Sequence, residues 1–280
     1  MWSPRGGVVL THCIALLVGA GLLAGCGSTD LRGNAAPFDT AHEADLCVAT
    51  DLPAPGFWAG PARAPTGGFE YELAKDLAHR LGLKGVRVVP TTREQLNIGV
   101  PAGCDVSLSQ TDITKERLQR MSFSVPYYTA NLGVLAKAGH DIPDLFTARS
   151  QTWGAEKGSR DAAFVSDVIR PDTPVHKFAN FGDSVKALQS GRIDAILTDL
   201  PLALIEAKSA KNLAVPAQFV TGDDYGASIR DEDNVEPFNV ALRGLIADGT
   251  VNQLISKWLE PRFSRDPADV PSIAFGGTGG

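Results

Sequence analysis

Arg117 ends a polar segment whose composition suits the binding of an anion. A short apolar run at residues 105–108 precedes it, and then Ser109, Gln110 and Asp112 bring hydroxyl, amide and carboxylate groups. Residues 113–117 have the pattern of a helix start. A planar guanidinium can bind a carboxylate through two parallel hydrogen bonds, and the free N–H groups of a helix start add donors. The segment therefore predicts a site for a carboxylate group.

Two more acidic residues stand at the ends of predicted buried strands. Asp51 follows the apolar residues 46–50, and Asp199 follows residues 193–198, just as Ser109 follows its own strand. Ligands of open parallel sheets bind beyond the carboxyl ends of the strands. We therefore expect Asp51, Ser109 and Asp199 to line one cleft. The alternative is that both acids are ordinary turn residues and that Arg117 pairs with Glu116 or Asp112 at the surface.

The elements that would position these residues alternate between strand and helix. Leu73, Leu77 and Leu81 recur every four residues, which predicts an amphipathic helix over residues 70–81. Residues 103–109 and 191–198 share one order: a glycine, an acid, and an apolar strand that ends in a hydroxyl residue. Such alternation predicts parallel sheets, and the internal similarity predicts two α/β lobes with a cleft between them.

Composition narrows the class of protein. The chain has 280 residues, a formal net charge of -6, 44% hydrophobic and 21% charged residues, which suits about two folded domains. No Lys/Arg stripe is visible, so we expect no nucleic-acid partner. We also predict no metal, no cofactor and no catalytic residues, since the sequence has no Gly-x-Ser-x-Gly or phosphate loop. The five histidines show no ligand spacing: His12, His42, His79, His140 and His176.

The N-terminus predicts export and lipid attachment. Arg5 precedes an apolar stretch at residues 8–24, and small residues stand directly before Cys26. This is the pattern of a lipoprotein signal peptide over residues 1–25, with Cys26 acylated and residues 26–44 as a polar tether. A spanning helix is the alternative, but the stretch is at the short end of the ~17–25 residues needed and Thr11 and His12 interrupt it.

Two cysteines remain after Cys13 leaves with the signal peptide and Cys26 takes the lipid. Cys47 begins the first predicted strand, and Cys104 immediately precedes the third. Those strands are expected to be parallel neighbours, and disulfides persist outside the cytoplasm. We therefore predict a Cys47–Cys104 disulfide away from the ligand.

The segment 105–117 resembles that of bacterial extracellular solute-binding proteins, family 3, the polar amino-acid binding proteins of ABC importers. Other stretches agree in order and spacing over residues 46–259: 68–73 (GFEYEL), 122–128 (SFSVPYY), 153–159 (WGAEKGS), 191–199 (GRIDAILTD), 225–229 (YGASI), 247–250 (ADGT) and 257–258 (KW). No single motif decides the resemblance, which depends on their number and order.

The resemblance implies an α/β fold of the periplasmic-binding-protein type II. Two doubly wound lobes would enclose a ligand cleft and be joined by two crossover strands. Residues 45–130 and 225–265 would form lobe 1, residues 131–224 would form lobe 2, and residues 266–280 would be a disordered tail.

The resemblance also implies roles for individual residues. Arg117 would bind the α-carboxylate of an amino acid, with the backbone of Asp112 and with Ser159 from the other lobe, and Asp199 would bind the α-ammonium. Ser109 and Gln110 would line the pocket, and Asp51 would face the ligand's side chain. The chain departs from the family in carrying Asp112 for a hydroxyl residue and Ala54 for an aromatic one. Phe57 or Trp58 is the predicted replacement for that ring.

The implied function is that of a lipid-anchored binding protein at the bacterial cell envelope, in the periplasm or on the outer face of the cytoplasmic membrane. Its expected partners are an amino acid, a membrane ABC permease and the membrane itself, and the protein is expected to be a monomer. Two alternatives stay open: a cyclohexadienyl (prephenate or arogenate) dehydratase on the same fold, and a ligand sensor for a membrane receptor. Asp51 favours a basic or amide side chain on the ligand, whereas Arg93 and Arg160 favour an acidic one.

Overall fold

The strands form two five-stranded sheets in a computed structural model that describes residues 37–42 and 44–275. The first sheet has the order β2-β1-β3-β10-β4 and defines lobe 1. Its elements are β1 (Asp45–Asp51), β2 (Gly85–Thr91), β3 (Val106–Ser107), β4 (Ser122–Phe123), β10 (Ser228–Ile229) and the helices α1 (Phe69–Arg80), α2 (Arg93–Ile98), α3 (Lys115–Leu118), α8 (Val235–Ala247) and α9 (Thr250–Trp258).

The second sheet has the order β7-β6-β8-β5-β9 and defines lobe 2. Its elements are β5 (Tyr128–Lys137), β6 (Trp153–Glu156), β7 (His176–Phe178), β8 (Ala195–Asp199), β9 (Leu213–Tyr225) and the helices α4 (Leu145–Arg149), α5 (Arg160–Phe164), α6 (Phe181–Ser190) and α7 (Leu200–Ser209). In each lobe the three strands that come first in the sheet order run parallel, the fourth runs antiparallel to them, and the fifth pairs antiparallel with the fourth. The two α/β lobes predicted from the sequence are confirmed.

Two strands cross between the lobes side by side. β5 leaves lobe 1 and β9 returns to it, and they pair antiparallel where Tyr128 faces Tyr225 and Ala130 faces Asp223. This pairing puts the cleft directly above a two-stranded crossover.

Helix α1 shows why the sequence pattern predicted its position. Leu73, Ala74, Leu77 and Ala78 are all buried against the lobe 1 sheet, as the four-residue repeat requires. Gly82, just after the helix, has a φ of 78°, a left-handed conformation that glycine adopts without strain. The helix therefore begins and ends close to the predicted residues.

The predicted disulfide between Cys47 and Cys104 is present, with Cα atoms 4.6 Å apart. Cys47 lies in β1, and Cys104 directly precedes β3, the parallel neighbour of β1. Both are buried beside Ala49 and Leu96. The bond therefore lies at the start of the sheet, whereas Asp51 lies at its far end.

The end of the predicted tail is folded, which corrects the expectation of disorder for its described part. Val270 and Ile273 are buried, and the Ile273 N–H donates to the Gln218 carbonyl at 2.8 Å. Phe275 packs against Phe164 and Phe219. Residues 266–275 therefore cover lobe 2, because their apolar side chains complete its core. Residues 276–280 lie outside the described part of the chain.

The last residues of the predicted tether are also bound to the fold. Phe38 contacts Phe238 of α8, and the Asp39 N–H donates to Asn234 Oδ1 at 2.8 Å. Asp105 accepts from the Ala41 N–H at 2.6 Å. The tether prediction is therefore wrong for residues 37–42. The predicted signal peptide, Cys26 and residues 26–36 lie outside the described residues.

In residues 37–42 and 44–275, we find no helix of the length and apolar character needed to cross a bilayer. The same residues contain no cluster of three or more His, Cys, Asp or Glu side chains arranged to hold a metal ion.

Candidate ligand-binding cleft

The two lobes touch each other across the cleft. The Asn97 side-chain amide of α2 donates to the Gly158 carbonyl at 2.7 Å. Lys157 of lobe 2 forms an ion pair with Glu94 of lobe 1 at 2.7 Å. These contacts join the loop after β6 to α2, and they close one side of the cleft.

Arg117 lies at the mouth of lobe 1 because Thr114 caps the short helix that carries it. The Thr114 hydroxyl accepts from the Arg117 N–H at 3.2 Å. The guanidinium donates to the Asp112 carbonyl at 3.0 Å and to Asn97 Oδ1 at 3.2 Å, and its Nη1 lies 3.4 Å from Asp112 Oδ2. Burial lowers the pKa of Arg117, and the charge of Asp112 opposes that shift. An arginine nevertheless stays charged at any physiological pH.

A second arginine approaches the same carboxylate from lobe 2. Arg160, the first residue of α5, has its Nε 3.2 Å from Asp112 Oδ2 and also pairs with Asp223 of β9. Asp112 therefore lies between Arg117 of lobe 1 and Arg160 of lobe 2. Asp112 is 7% exposed, and its Oδ1 is buried without a hydrogen-bond partner in the described chain.

Asp199 stands at the junction of β8 and α7. It occupies the N-cap position, yet its carboxylate makes no capping hydrogen bond, so it is available to the cleft. Burial and the negative charges of Asp161 and Asp112 raise the pKa of Asp199 well above its usual range. Burial, with the charge of Asp112, also raises the pKa of Asp161 to about 6. This end of the cleft therefore favours a cation or a proton.

Asp51 ends β1 and is tied to its neighbouring strand. Its N–H donates to the Ser109 hydroxyl at 2.9 Å, and the Ser109 carbonyl accepts from Arg93 Nη1 at 2.6 Å. Arg93 Nε lies 3.7 Å from Asp51 Oδ2. Burial alone would lower the pKa of Arg93, but Glu156, Asp51 and other acids raise it. The Ser109 hydroxyl therefore fixes the end of β1 at the base of the cleft.

Glu156 faces Asp51 from the other lobe. It is the last residue of β6, and its carboxyl group forms a hydrogen bond with that of Asp51. Burial, with this hydrogen bond, raises the pKa of Glu156 to about 8, and the charge of Arg93 opposes the shift. Its Oε1 is buried and accepts no hydrogen bond of regular geometry from the described residues.

Gln110 is held in a strained loop by Glu70, a fully buried carboxylate of α1. Gln110 has a φ of 46°, which is uncommon for a residue with a side chain. Glu70 accepts from the Gln110 N–H at 2.9 Å, from Trp58 Nε1 at 2.7 Å, and from the Gln110 amide and the Tyr127 hydroxyl. The side chain of Gln110 therefore supports the loop and is not free for a ligand.

Phe57 and Trp58 lie in the core of lobe 1, which corrects the predicted stacking role. Phe57 is 0% exposed and Trp58 is 5% exposed, and Phe57 packs edge-on against Phe69. Tyr225 is also buried, and its ring stacks on Tyr128 at 5.6 Å. The Tyr225 hydroxyl faces the Asp199 carboxylate, although no hydrogen bond of regular geometry reaches it from the described residues.

Ser159 caps α5, because its hydroxyl accepts from the Ala162 N–H at 3.2 Å. Contact with the ligand's carboxylate, the role that the resemblance implies for Ser159, would have to be shared with this helix cap. The next residue, Arg160, is the one that reaches Asp112.

A cavity of about 610 Å³ lies outside the cleft. It is lined by Phe164, Val220 and Phe275, with Arg160 and Asp223 at its edge. Its two charged residues neutralise each other. The cleft, with its several unpartnered polar atoms, is the better candidate for a polar ligand.

Sequence analysis predicted some residues of the cleft and missed others. Asp51, Asp112, Arg117 and Asp199 are all part of the charged cluster between the lobes. Sequence reasoning missed Glu156, although the rule that located Asp51, the carboxyl end of a parallel strand, applies to β6 as well. Other cleft residues were not predicted or were undervalued: Arg93, Arg160, Asp161, Asp223 and Tyr225.

Two α/β lobes, two crossover strands and a charged cleft between them define a two-lobed solute-binding protein. The chain belongs to the bacterial extracellular solute-binding proteins, family 3, whose sequence profile matches residues 46–261. Members of this extracellular family act outside the cytoplasm, and its curated relatives here are amino-acid ABC transporter binding proteins.

Three proteins illustrate the similarity. The glutamine-binding protein GlnH of an ABC transporter from Bacillus subtilis (strain 168) is 25% identical over 263 residues, 89% of this chain and 94% of that protein. An ancestral arginine-binding protein bound to glutamine is 30% identical, with a TM-score of 0.71 over 78% of this chain and 98% of that one. The ancestral amino-acid-binding protein AncCDT-1, a precursor of cyclohexadienyl dehydratase, is 29% identical, with a TM-score of 0.69 over 78% and 96%.

Proposed function

We propose that this protein is a lipid-anchored binding protein that captures a polar amino acid outside the cytoplasm and delivers it to a membrane ABC importer. One observation carries the proposal. Arg117 of lobe 1 and Asp199 of lobe 2 border the same closed cleft, with Asp112 within electrostatic reach of both. A free amino acid has a carboxylate and an ammonium group, and burying both requires one partner of each charge.

In this proposal the α-carboxylate of the ligand binds Arg117 and the α-ammonium binds Asp199. The Tyr225 hydroxyl, which faces Asp199, and the buried Asp112 Oδ1 would complete the polar contacts. The backbone around Asp112 and Ser159 contributes further donors, and Asp51 faces the ligand's side chain. Because the partners come from both lobes, the ligand favours the closed arrangement.

A lipid anchor would help the protein deliver its ligand, because it would keep the protein close to the membrane permease. Cys26 would carry the lipid, and two acyl chains hold a protein stably at a bilayer. The folded part begins by Phe38, packed on lobe 1, so the tether is only the stretch from Cys26 to that contact. At ~3.4 Å per extended residue, a monomer would stay within about 40 Å of the membrane, within reach of a permease.

An enzyme related to cyclohexadienyl dehydratase is the second candidate, since AncCDT-1 is 29% identical to the chain. Such an enzyme needs a general acid in the cleft, and the protonated Glu156 has the required chemistry. Asp199 favours binding, because an amino acid's ammonium group needs an anionic partner that a keto acid does not. A ligand sensor for a membrane receptor would use the same cleft.

A thermal-unfolding screen separates these functions. The mature protein is heated with each of the twenty amino acids, and a ligand that binds the folded state raises the melting temperature. We expect a dose-dependent rise with a small subset of polar amino acids and no turnover of prephenate or arogenate. A flat response to all twenty, or turnover of either acid, would contradict the proposal.

A further inference from the structure

Arg160 joins lobe 2 both to lobe 1 and to a crossover strand. It is the first residue of α5 in lobe 2. Its Nε lies 3.2 Å from Asp112 Oδ2 of lobe 1, and its Nη2 donates to Asp223 of β9. The side chains of Arg160, Asp112 and Asp223 are 24%, 10% and 16% exposed. Solvent is therefore largely excluded from both contacts.

The two contacts of Arg160 differ in kind. The contact with Asp223 is a hydrogen bond. The contact with Asp112 is an ion pair without regular hydrogen-bond geometry, because Arg160 Nε has no hydrogen-bond partner among the described residues. Asp223 therefore fixes the direction of the guanidinium, and Asp112 attracts it across the cleft. Such an attraction is stronger where water is excluded than at an exposed surface.

The backbone fixes Asp112 to lobe 1 and to the end of β9. Asp112 pairs with Tyr225 in an antiparallel bridge, and the Ile113 N–H donates to the Asp224 carbonyl at 2.8 Å. Arg160, in contrast, is carried by α5, which contacts β6 and β8 of lobe 2. A rotation of the lobes about the crossover strands would therefore separate Arg160 from Asp112.

A second ion pair between the lobes provides a comparison. Lys157 and Glu94 at the rim are 60% and 56% exposed, and exposed pairs of this kind contribute little. The pair of Arg160 and Asp112 is the less exposed of the two. Removal of one partner from a buried pair leaves a charge without compensation, which is costly. The attraction between the lobes should therefore depend more on Arg160 than on Lys157.

We propose that Arg160 is a positioning residue, which holds lobe 2 in the closed orientation through its ion pair with Asp112. The protein then supplies part of the free energy of closure, and contacts with a ligand add to it. A prediction about ligand affinity rests on the proposed capture of an amino acid. A prediction about the orientation of the lobes does not.

Distances between paired spin labels on the mature protein measure the orientation of the lobes. Glu116→Cys in lobe 1 and Lys186→Cys in lobe 2 replace side chains that are 80% and 77% exposed. Without any amino acid, the wild-type residue at position 160 should give mostly the shorter, closed distance. Arg160→Gln should lower the ratio of closed to open protein by about tenfold, because it removes one member of a largely buried charge pair.

A double-mutant cycle with Asp112→Asn isolates the ion pair from other roles of Arg160. Asp112→Asn alone should open the cleft to a similar extent, and Arg160→Gln should then add little. Arg160→Lys keeps the charge and should restore most of the closed population. Arg243→Gln is the control, because Arg243 pairs with Glu236 of the same helix at 3.1 Å. It should leave the ratio unchanged.

Ligand affinity gives a second reading, with L-glutamine and L-arginine as probes in calorimetry. The closed fraction of the protein sets the apparent affinity, so Arg160→Gln should weaken binding by about two- to fivefold. The factor should be similar for each probe that binds, because the orientation of the lobes is common to them.

The outcomes distinguish this inference from the proposed function. Equal closed populations with and without Arg160→Gln would overturn it, as would a wild type that is mostly open without an amino acid. Additive effects of Arg160→Gln and Asp112→Asn would also overturn it. If Arg160→Gln does not fold, Asp112→Asn decides in its place, and an unchanged ratio in that variant would overturn the inference. Failure to bind any amino acid would overturn the proposed function alone.

Discussion

The two ends of the cleft contain similar charges but are built differently. At the Arg117 end, Asp112 lies between two arginines, one from each lobe. At the Asp51 end, one arginine faces two carboxyl groups, again one from each lobe. At the first, Arg160 is shared between Asp112 and Asp223, so Arg117 is the cation best placed for a carboxylate. At the second, Arg93 faces Asp51 and interacts with Glu156. The comparison teaches that the partners already bound to each arginine, rather than the number of arginines, decide which one is left for a ligand.

The largest expected effect is at the Arg117 end. Arg117→Ala should weaken amino-acid binding by about 30-fold or more, because truncating one member of a buried charge pair costs about 2–5 kcal/mol. Calorimetry measures the affinity. Arg120→Ala is the matched control, since Arg120 is 56% exposed, lies just after α3 and pairs with the exposed Glu116. Unchanged affinity in Arg117→Ala would remove the carboxylate assignment.

The disulfide should affect the scaffold and leave both ends of the cleft unchanged. It links residues 57 apart in sequence, and a loop of that size is worth ~4 kcal/mol in the chain-entropy treatment, with about 2–3 kcal/mol commonly observed. Denaturant unfolding of the Cys47→Ala/Cys104→Ala double variant measures the loss. Ligand affinity should stay within about twofold, because Cys47 and Asp51 are four residues apart on β1, ~13 Å. A large loss of affinity at full folding would show that scaffold and cleft are coupled.

The Asp51 end should make the stability of the unliganded protein depend on pH. Glu156 is protonated up to about pH 8 in the folded protein but only up to ~4.3 when unfolded. Between these values the folded state binds more protons, so its stability falls as the pH rises from ~4.3 to about 8 and levels off above that. We expect a loss of up to about 4 kcal/mol between pH 5 and 9 from this group. Melting temperatures of wild type and Glu156→Gln measure it, and parallel profiles would contradict the prediction.

The smallest expected effect concerns the rim of the cleft. Lys157 and Glu94 are 60% and 56% exposed, and exposed ion pairs contribute about 0–1 kcal/mol. Lys157→Ala should therefore weaken ligand binding by about twofold or less at low salt and not measurably at high salt. A loss above tenfold would show that lobe closure depends on the rim rather than on the buried ends.

Sequence patterns predicted the parts of the protein that depend on local order. The leucine repeat of α1 and the cysteines beside two parallel strands follow from periodicity and topology. Arg117 and Asp199 follow from motifs in which the functional residue comes directly after a strand or at a helix start. These features need little knowledge of distant contacts.

The parts that sequence reasoning missed depend on contacts between the lobes. Glu156 and Asp51 come from different lobes and are far apart in sequence, and only the closed cleft brings their carboxyl groups together. Trp58 looked like an available ring until its indole was found to donate to buried Glu70. The tail looked disordered because its core contacts, such as Phe275 with Phe219, are made with another element.

The most direct test of the proposed carboxylate site compares an amino acid that raises the melting temperature with the amine that lacks its carboxylate. Calorimetry measures both affinities on wild type, Arg117→Ala and the control Arg120→Ala. Wild type and Arg120→Ala should bind the amino acid more tightly than the amine, and Arg117→Ala should remove that difference. Equal weakening of both ligands by Arg117→Ala, or a wild type that binds both equally, would contradict the account.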